Sequence, residues 1–275
     1  MSAMNPVRCN EIAEIFAALS VKAGAVIMEV YGRGCAFRMK SDASPVSEAD
    51  ELAEEVVLAG LAREIPGIPV IAEESVARGE VPPISGTFIL VDPLDGTKEF
   101  MCKNGEFTVN IALISDGVPI AGAVYAPALG KLWFGGADAY QCAVAPGAAL
   151  PPRSEWCALK TRPAPRDGLT AVVSRSHGDL ATEAFLAKLP VNECRSAGSS
   201  LKFCLVAEGL ADVYPRFAPT MEWDTAAGEA VLRAAGGKML NCDKSAFLYG
   251  KTPEQYRNPS FIAWGDAAYA EKAAV

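Results

Sequence analysis

Acidic residues stand at the edge of apolar elements at three separate places in this 275-residue sequence. Pro69 to Ala72 run into Glu73 and Glu74. Phe88 to Val91 run into Asp92 and, three residues on, Asp95. Trp223 is followed by Asp224. Carboxylates brought to one place repel each other unless a cation sits among them. Hard divalent cations take oxygen ligands, and Mg²⁺ binds through a few carboxylates, waters and substrate phosphates. In the stretch DPLDGT, Pro93 stiffens the exit from a buried strand, so Asp92, Asp95 and the Leu94 carbonyl can face one volume. Gly96 and Thr97 follow at the expected start of a helix, where backbone N–H groups form a natural cradle for phosphate.

Each acid also has an ordinary explanation. Asp-Gly is common turn chemistry. Asp50 is fully accounted for by a capping box with Ser47. Asp224 can be a plain N-cap for a helix starting at Thr225. The metal reading rests on the combination, since every one of these explanations would have to hold independently.

The elements that must position these residues follow from periodicity. Ile12, Ile15, Phe16 and Leu19 recur at helical spacing, and a second helix follows Ser47 with Leu52, Val56 and Val57 on one face. Segments 69–75 and 86–93 read as strands. FTVNIALI, VPIAGAVYAP and KLWFGG read as three more, with Asp116-Gly117 a hairpin turn between the first two. The first half is therefore two helices and a mostly antiparallel sheet. The segment APGAALPPRSEW, rich in proline and small residues, is the best boundary, dividing the chain into residues 1–145 and 146–275. Strands (LTAVVS, NECRS, ADVYP, KMLN, FIAW) then alternate with helices (DLATEAFLAKL, SSLKFCLVAEG, DTAAGEAVLRAAGG). That pattern is α/β with a partly parallel sheet.

Composition removes several classes. An apolar share of 51% and a net charge of −8 fit a folded enzyme and give no basic face for nucleic acid. The eight cysteines contain no C-x-x-C pair and read as reduced core thiols, while a single histidine, His177, cannot build a histidine-rich zinc site. Glu11, Glu14, Lys22 and Glu29 break up the first thirty residues, so an amphipathic helix is expected rather than a signal peptide, and no stretch is long enough to span a membrane. The expected location is cytoplasmic. A serine hydrolase built on Ser176 or Ser199 with His177 lacks the G-x-S-x-G elbow.

Taken together, AEES, DPLDGT and EWDTAAGEAVLRAAGG resemble the signatures of the inositol monophosphatase superfamily, over roughly Lys40 to Gly237. SPVSEAD, VVSRSH and the run from Ser196 to Asp224 are similar to its bacterial CysQ-type 3′(2′),5′-bisphosphate nucleotidases. Phe217, beside Arg216, stands where inositol monophosphatases usually carry an acid, which favours a nucleotide; inositol phosphate is the alternative substrate. The resemblance implies a layered α-β-α-β-α sandwich with the metal site at the junction of the halves. It implies a Mg²⁺-dependent, Li⁺-inhibited phosphatase acting on adenosine 3′,5′-bisphosphate or 3′-phosphoadenylyl sulfate. Glu73, Asp92 and the Leu94 carbonyl would hold one Mg²⁺. Asp92, Asp95 and Asp224 would hold a second, and a third could share the same ligands. Glu73, Leu94, Asp95 and Asp224 thereby also count as substrate-binding. Asp50 and Thr97, with Glu73, would orient and deprotonate the attacking water, and the Gly96 and Thr97 N–H groups would bind phosphate. His177 would lie against the adenine, and Ser199, Ser200, Lys202 and Arg216 would contact the remaining phosphate or sugar. Such relatives are monomers or homodimers, some peripheral on the inner membrane.

Overall fold

A computed structural model describes residues 5–34, 37–39, 45–175, 178–252 and 255–273. The chain opens with helix α1 (Pro6–Arg33), started by Asn5, whose side chain accepts from the Val7 N–H. A short antiparallel pair, β1 (Phe37–Met39) and β2 (Pro45–Ser47), leads into α2 (Glu48–Glu64). The expected capping box starts α2: Asp50 Oδ2 accepts from the Ser47 N–H at 2.8 Å and from the Ser47 hydroxyl at 2.7 Å. Next come β3 (Val70–Ala72), α3 (Glu73–Ala77), β4 (Thr87–Asp95), α4 (Thr97–Met101), β5 (Thr108–Ser115), β6 (Val118–Ala126), β7 (Lys131–Gly135), β8 (Ala139–Ala143) and β9 (Cys157–Ala158). Strands β3 to β9 form one seven-stranded sheet in chain order. Only the β3–β4 pair is parallel.

The second sheet has five strands in the order β11-β10-β12-β14-β13. These are β10 (Leu169–Ser174), β11 (Val191–Ala197), β12 (Val213–Arg216), β13 (Lys238–Asn241) and β14 (Phe261–Trp264), interleaved with α5 (Leu180–Leu186), α6 (Leu201–Ala207), α7 (Glu222–Ala234) and, last, α8 (Ala267–Lys272). β10 pairs in parallel with β11 and β12, and the other two pairings are antiparallel. Helices α1 and α2 cover one face of the larger sheet. α6 and α7 fill the space between the sheets, and α5 and α8 lie against the far side of the smaller one. The layering is α-β-α-β-α, as the resemblance implied. An apolar cluster between the sheets runs from Ile71 and Leu90 through Phe203 and Val231 to Phe261.

Asp116 and Gly117 both take positive φ (50° and 78°) at the β5–β6 hairpin, the geometry that dipeptide favours. Other expectations need correcting. Glu73 and Glu74 do not end a strand; they begin α3. Helix α4 begins at Thr97, where a helix start was expected, whereas strand β8, short β9 and helix α8 carry no sequence pattern strong enough to announce them. Three of the expected core thiols, Cys102, Cys157 and Cys194, are exposed, while Cys9, Cys142 and Cys204 are buried; Cys35 lies outside the described residues. No helix among the described residues is long and apolar enough to cross a membrane.

Candidate metal centre and phosphate cavity

The DPLD stretch stays inside strand β4 instead of leaving it on a turn. Asp92 pairs with Asn110 of β5 and Asp95 with Thr108, so three steps along β4 oppose two along β5. That one-residue bulge answers a parity problem. Positions three apart in a regular strand point to opposite faces, and the extra residue returns both aspartates to the same one. Pro93, which has no N–H to offer a ladder, sits inside the irregular segment where it does least harm.

Helix starts gather around the bulge. Glu73 is the first residue of α3, Thr97 the first of α4, and Asp50 and Asp224 each stand third in their helices, α2 and α7. Asp224 is therefore not the N-cap of its helix. Its Oδ2 folds back to accept the Met221 N–H at 2.8 Å, as Asp50 does with the Ser47 N–H, although Met221 has no hydroxyl to return the bond. Each of these helix N-termini contributes positive partial charge toward the carboxylates.

Asp92 is the centre of the group. It is 1% exposed, and Oδ1 accepts the Leu94 N–H at 3.0 Å. Burial pushes its pKa well above the carboxylate range, and Glu73, Asp95, Asp224 and Asp50 push it further. Asp224 is raised likewise, by burial first and then by Asp95 and Glu73, against the pull of the Met221 N–H and Arg216. Asp95 Oδ2 accepts from the hydroxyls of Ser199 at 2.6 Å and Ser200 at 3.1 Å, and from Asn110 Nδ2 at 3.4 Å. Among the described residues no three acidic, histidine or cysteine side chains are already drawn together tightly enough to enclose an ion. The donor set still fits a hard divalent cation in kind. It is all oxygen, it carries several negative charges at one buried place, and two of its members are held there against a strong tendency to protonate.

A cavity of about 250 Å³ opens over this group, and its lining includes Glu73, Asp95, Gly96, Thr97 and Asp224. Ser199, Lys202, Tyr214 and Arg216 line it as well. Gly96 adopts φ 90°, ψ 45°, which a residue bearing Cβ rarely takes, and no side chain caps α4. Lys202 is 4% exposed, with Nζ donating to the Ala197 carbonyl at 3.2 Å and to the Ser199 carbonyl. Burial brings its pKa down to about 8, with Arg216 adding to the fall and Asp95 opposing it. Arg216 is held by the Ala218 carbonyl at 3.1 Å and the Pro219 carbonyl at 3.3 Å.

Of the residues expected from the sequence, Glu73, Asp95, Gly96, Thr97, Ser199, Lys202, Arg216 and Asp224 share the cavity wall. Asp50, Asp92 and Leu94 are buried and off that wall. Ser200, at 2% exposed, is behind it, donating to Asp95 and to the Asp224 carbonyl at 2.7 Å, so its geometry is that of a brace for the aspartates. His177 lies outside the described residues. Sequence reasoning missed Thr108 and Asn110, which pair with the two aspartates and bond each other at 3.0 Å. Polar residues two apart in the otherwise apolar β5 were the available signal. It also missed Glu106, which accepts from the Gly198 N–H and from Arg175 Nε, both at 2.7 Å, and so anchors the turn that carries Ser199 and Ser200.

A two-sheet sandwich with an acidic centre at its seam is the architecture of the inositol monophosphatase family, and the chain belongs to that family, whose sequence profile matches residues 9–273. It is accordingly a phosphatase. Its relatives include the 3′(2′),5′-bisphosphate nucleotidase CysQ of Salmonella typhimurium, 44% identical over 248 residues that cover 88% of this chain and 95% of that protein. The CysQ of Escherichia coli K12 gives the same figures. The crystal structure of CysQ from Bacteroides thetaiotaomicron, 41% identical, superposes with a TM-score of 0.78 over 92% of this chain and 97% of its own. An inositol monophosphatase from Anabaena shares the fold at a TM-score of 0.72 and 24% identity, covering 96% of this chain and 94% of its own.

Proposed function

We propose that this chain is a Mg²⁺-dependent nucleotidase that removes the 3′-phosphate of adenosine 3′,5′-bisphosphate, leaving AMP, with 3′-phosphoadenylyl sulfate as a second candidate substrate. One observation carries the proposal: the half-buried carboxylates Glu73, Asp95 and Asp224 and the buried pair Lys202 and Arg216 line the same cavity. A substrate with two phosphates can set one against each group. The relatives named as bisphosphate nucleotidases support the choice.

Glu73, Asp92, Asp95, Asp224 and the Leu94 carbonyl would hold the Mg²⁺ ions. The chemistry such ions supply is neutralisation of the phosphate dianion and acidification of a water. The chain's own groups do the rest. Thr97 and Asp50 orient the attacking water and take up its proton. The N–H groups of Gly96 and Thr97 hold the phosphoryl oxygens at the start of α4, and Lys202 and Arg216 hold the phosphate that stays. Ser199 and Ser200 brace Asp95. The proline- and alanine-rich segment near residue 145 remains our proposed division between the two halves of the chain.

A phosphate-release panel tests this with adenosine 3′,5′-bisphosphate, 3′-phosphoadenylyl sulfate and inositol 1-phosphate, each with Mg²⁺, with a chelator and with added Li⁺. Fastest release from a nucleotide, abolished by the chelator and reduced by Li⁺, is expected. Faster release from inositol 1-phosphate would replace the substrate. Turnover indifferent to chelation would remove the metal.

A further inference from the structure

Glu54 stands on α2 one turn beyond Asp50 and is 1% exposed. Its Oε2 accepts from the Glu74 N–H at 2.8 Å, while Oε1 accepts from the Ser75 hydroxyl at 2.8 Å and from Arg78 Nη2 at 3.1 Å. All three donors belong to α3 or the residue that closes it. The N-cap of α3 is Ala72, which has no side chain able to cap it. A helix of five residues forms too few internal hydrogen bonds to sustain itself, so its shape must be imposed from outside. Glu54 imposes it, serving from a neighbouring helix the N–H that a capping serine would otherwise take. The first residue of α3 is Glu73, on the cavity wall.

We propose that Glu54 is the positioning residue for Glu73: by fixing the first turn of α3 it sets the direction in which the Glu73 carboxylate enters the metal site. The inference rests on the metal-dependent function proposed above. It also explains why a carboxylate is used. Every partner of Glu54 is a donor, so an amide at this position must turn its NH₂ toward one of them and release part of the clamp. Helix α2 would then set two parts of the site at once, Asp50 directly and Glu73 through Glu54. A role confined to stability would lower the melting temperature and leave metal affinity alone.

The test is Mn²⁺ binding, followed by the loss of its free electron-paramagnetic signal, in the full-length wild type, Glu54→Gln and Arg78→Ala, with melting temperatures measured alongside. Glu54→Gln is expected to raise the Mn²⁺ Kd about 10- to 100-fold, the usual cost of releasing a group that orients a metal ligand. Arg78→Ala removes one of the three bonds to Glu54, but from a half-exposed guanidinium at the far end of α3, and leaves the Glu74 and Ser75 bonds that fix its first turn, so its Kd should stay within about twofold of wild type. Unchanged Mn²⁺ affinity in a folded Glu54→Gln protein overturns the proposal. If that variant does not fold, Ser75→Ala is read in the same way, with a severalfold weaker Kd expected and an unchanged one overturning it. A wild type that binds no Mn²⁺ refutes the metal-dependent function itself, which keeps the two failures distinct.

Discussion

Lys202 is held in the fold at a cost that can be worked out. Its pKa falls from 10.5 to about 8 on burial. Each unit is about 1.4 kcal/mol, so the charged side chain opposes folding by roughly 3 kcal/mol. Below pH 8 the lysine is protonated in both folded and unfolded chains and the full penalty applies. As pH rises from about 8 toward 10.5 the folded protein sheds the proton first, and the penalty disappears. Lys202→Met keeps the length and removes the charge. It strands the Ala197 and Ser199 carbonyls, at about 1 kcal/mol each. The variant should therefore be more stable than wild type at pH 7 by about 1 kcal/mol, and that lead should reverse by pH 10. Urea unfolding of both proteins at pH 7.0 and pH 10 measures this. The same variant should raise KM for adenosine 3′,5′-bisphosphate far more than it lowers kcat, because the proposed role of Lys202 is to hold the phosphate that stays, not the one that leaves. A Lys202→Met protein less stable than wild type by the same amount at both pH values would refute the burial argument.

Asp95→Asn keeps the shape and loses the charge, so it should fold, with an unchanged circular-dichroism spectrum, while kcat drops by about 100-fold or more. Asp92→Asn retains an oxygen to accept the Leu94 N–H and removes a strongly disfavoured buried charge. Because the folded-state pKa of Asp92 is raised, the metal-free wild type loses stability as pH climbs above the ordinary carboxylate range. The variant should melt higher than metal-free wild type at pH 7, by a margin that shrinks at pH 4 and reverses when Mg²⁺ is saturating. Gly228→Ala would put a Cβ 2.4 Å from Phe203 Cδ2, and urea unfolding should show a loss of about 1 to 3 kcal/mol.

Local signals were legible wherever the cause was local. The Ser47–Asp50 box, the Asp116-Gly117 hairpin and the apolar core of β4 each depend on residues within a few positions, and each is present as read. What escaped was fixed by distant partners. Glu73 and Glu74 look like the end of a strand, and Glu54, twenty residues before Glu74, accepts the N–H of Glu74 where they start a helix. The DPLD segment looks like a turn because the sequence does not show β5 pairing along it. Ser200 looks like a ligand-binding hydroxyl until Asp95, on the other sheet, occupies it. The candidate acids were identified by type and spacing, and the groups that hold those acids in place were mostly invisible.

The two helices between the sheets each give the cavity a charged lining residue, Lys202 on α6 and Asp224 on α7. Asp224 and Gly228 lie one turn apart on the same face of α7, and that face receives Phe203 of α6, the neighbour of Lys202. The spacing of Asp224 from Lys202 is therefore set in part by a glycine and a phenylalanine ring, neither of which carries charge. A lineage that enlarged position 228 and trimmed position 203, or the reverse, would lengthen or shorten that spacing while every polar residue stayed the same. Divergence of substrate size within this fold can thus begin in the interior, out of sight of the chemistry.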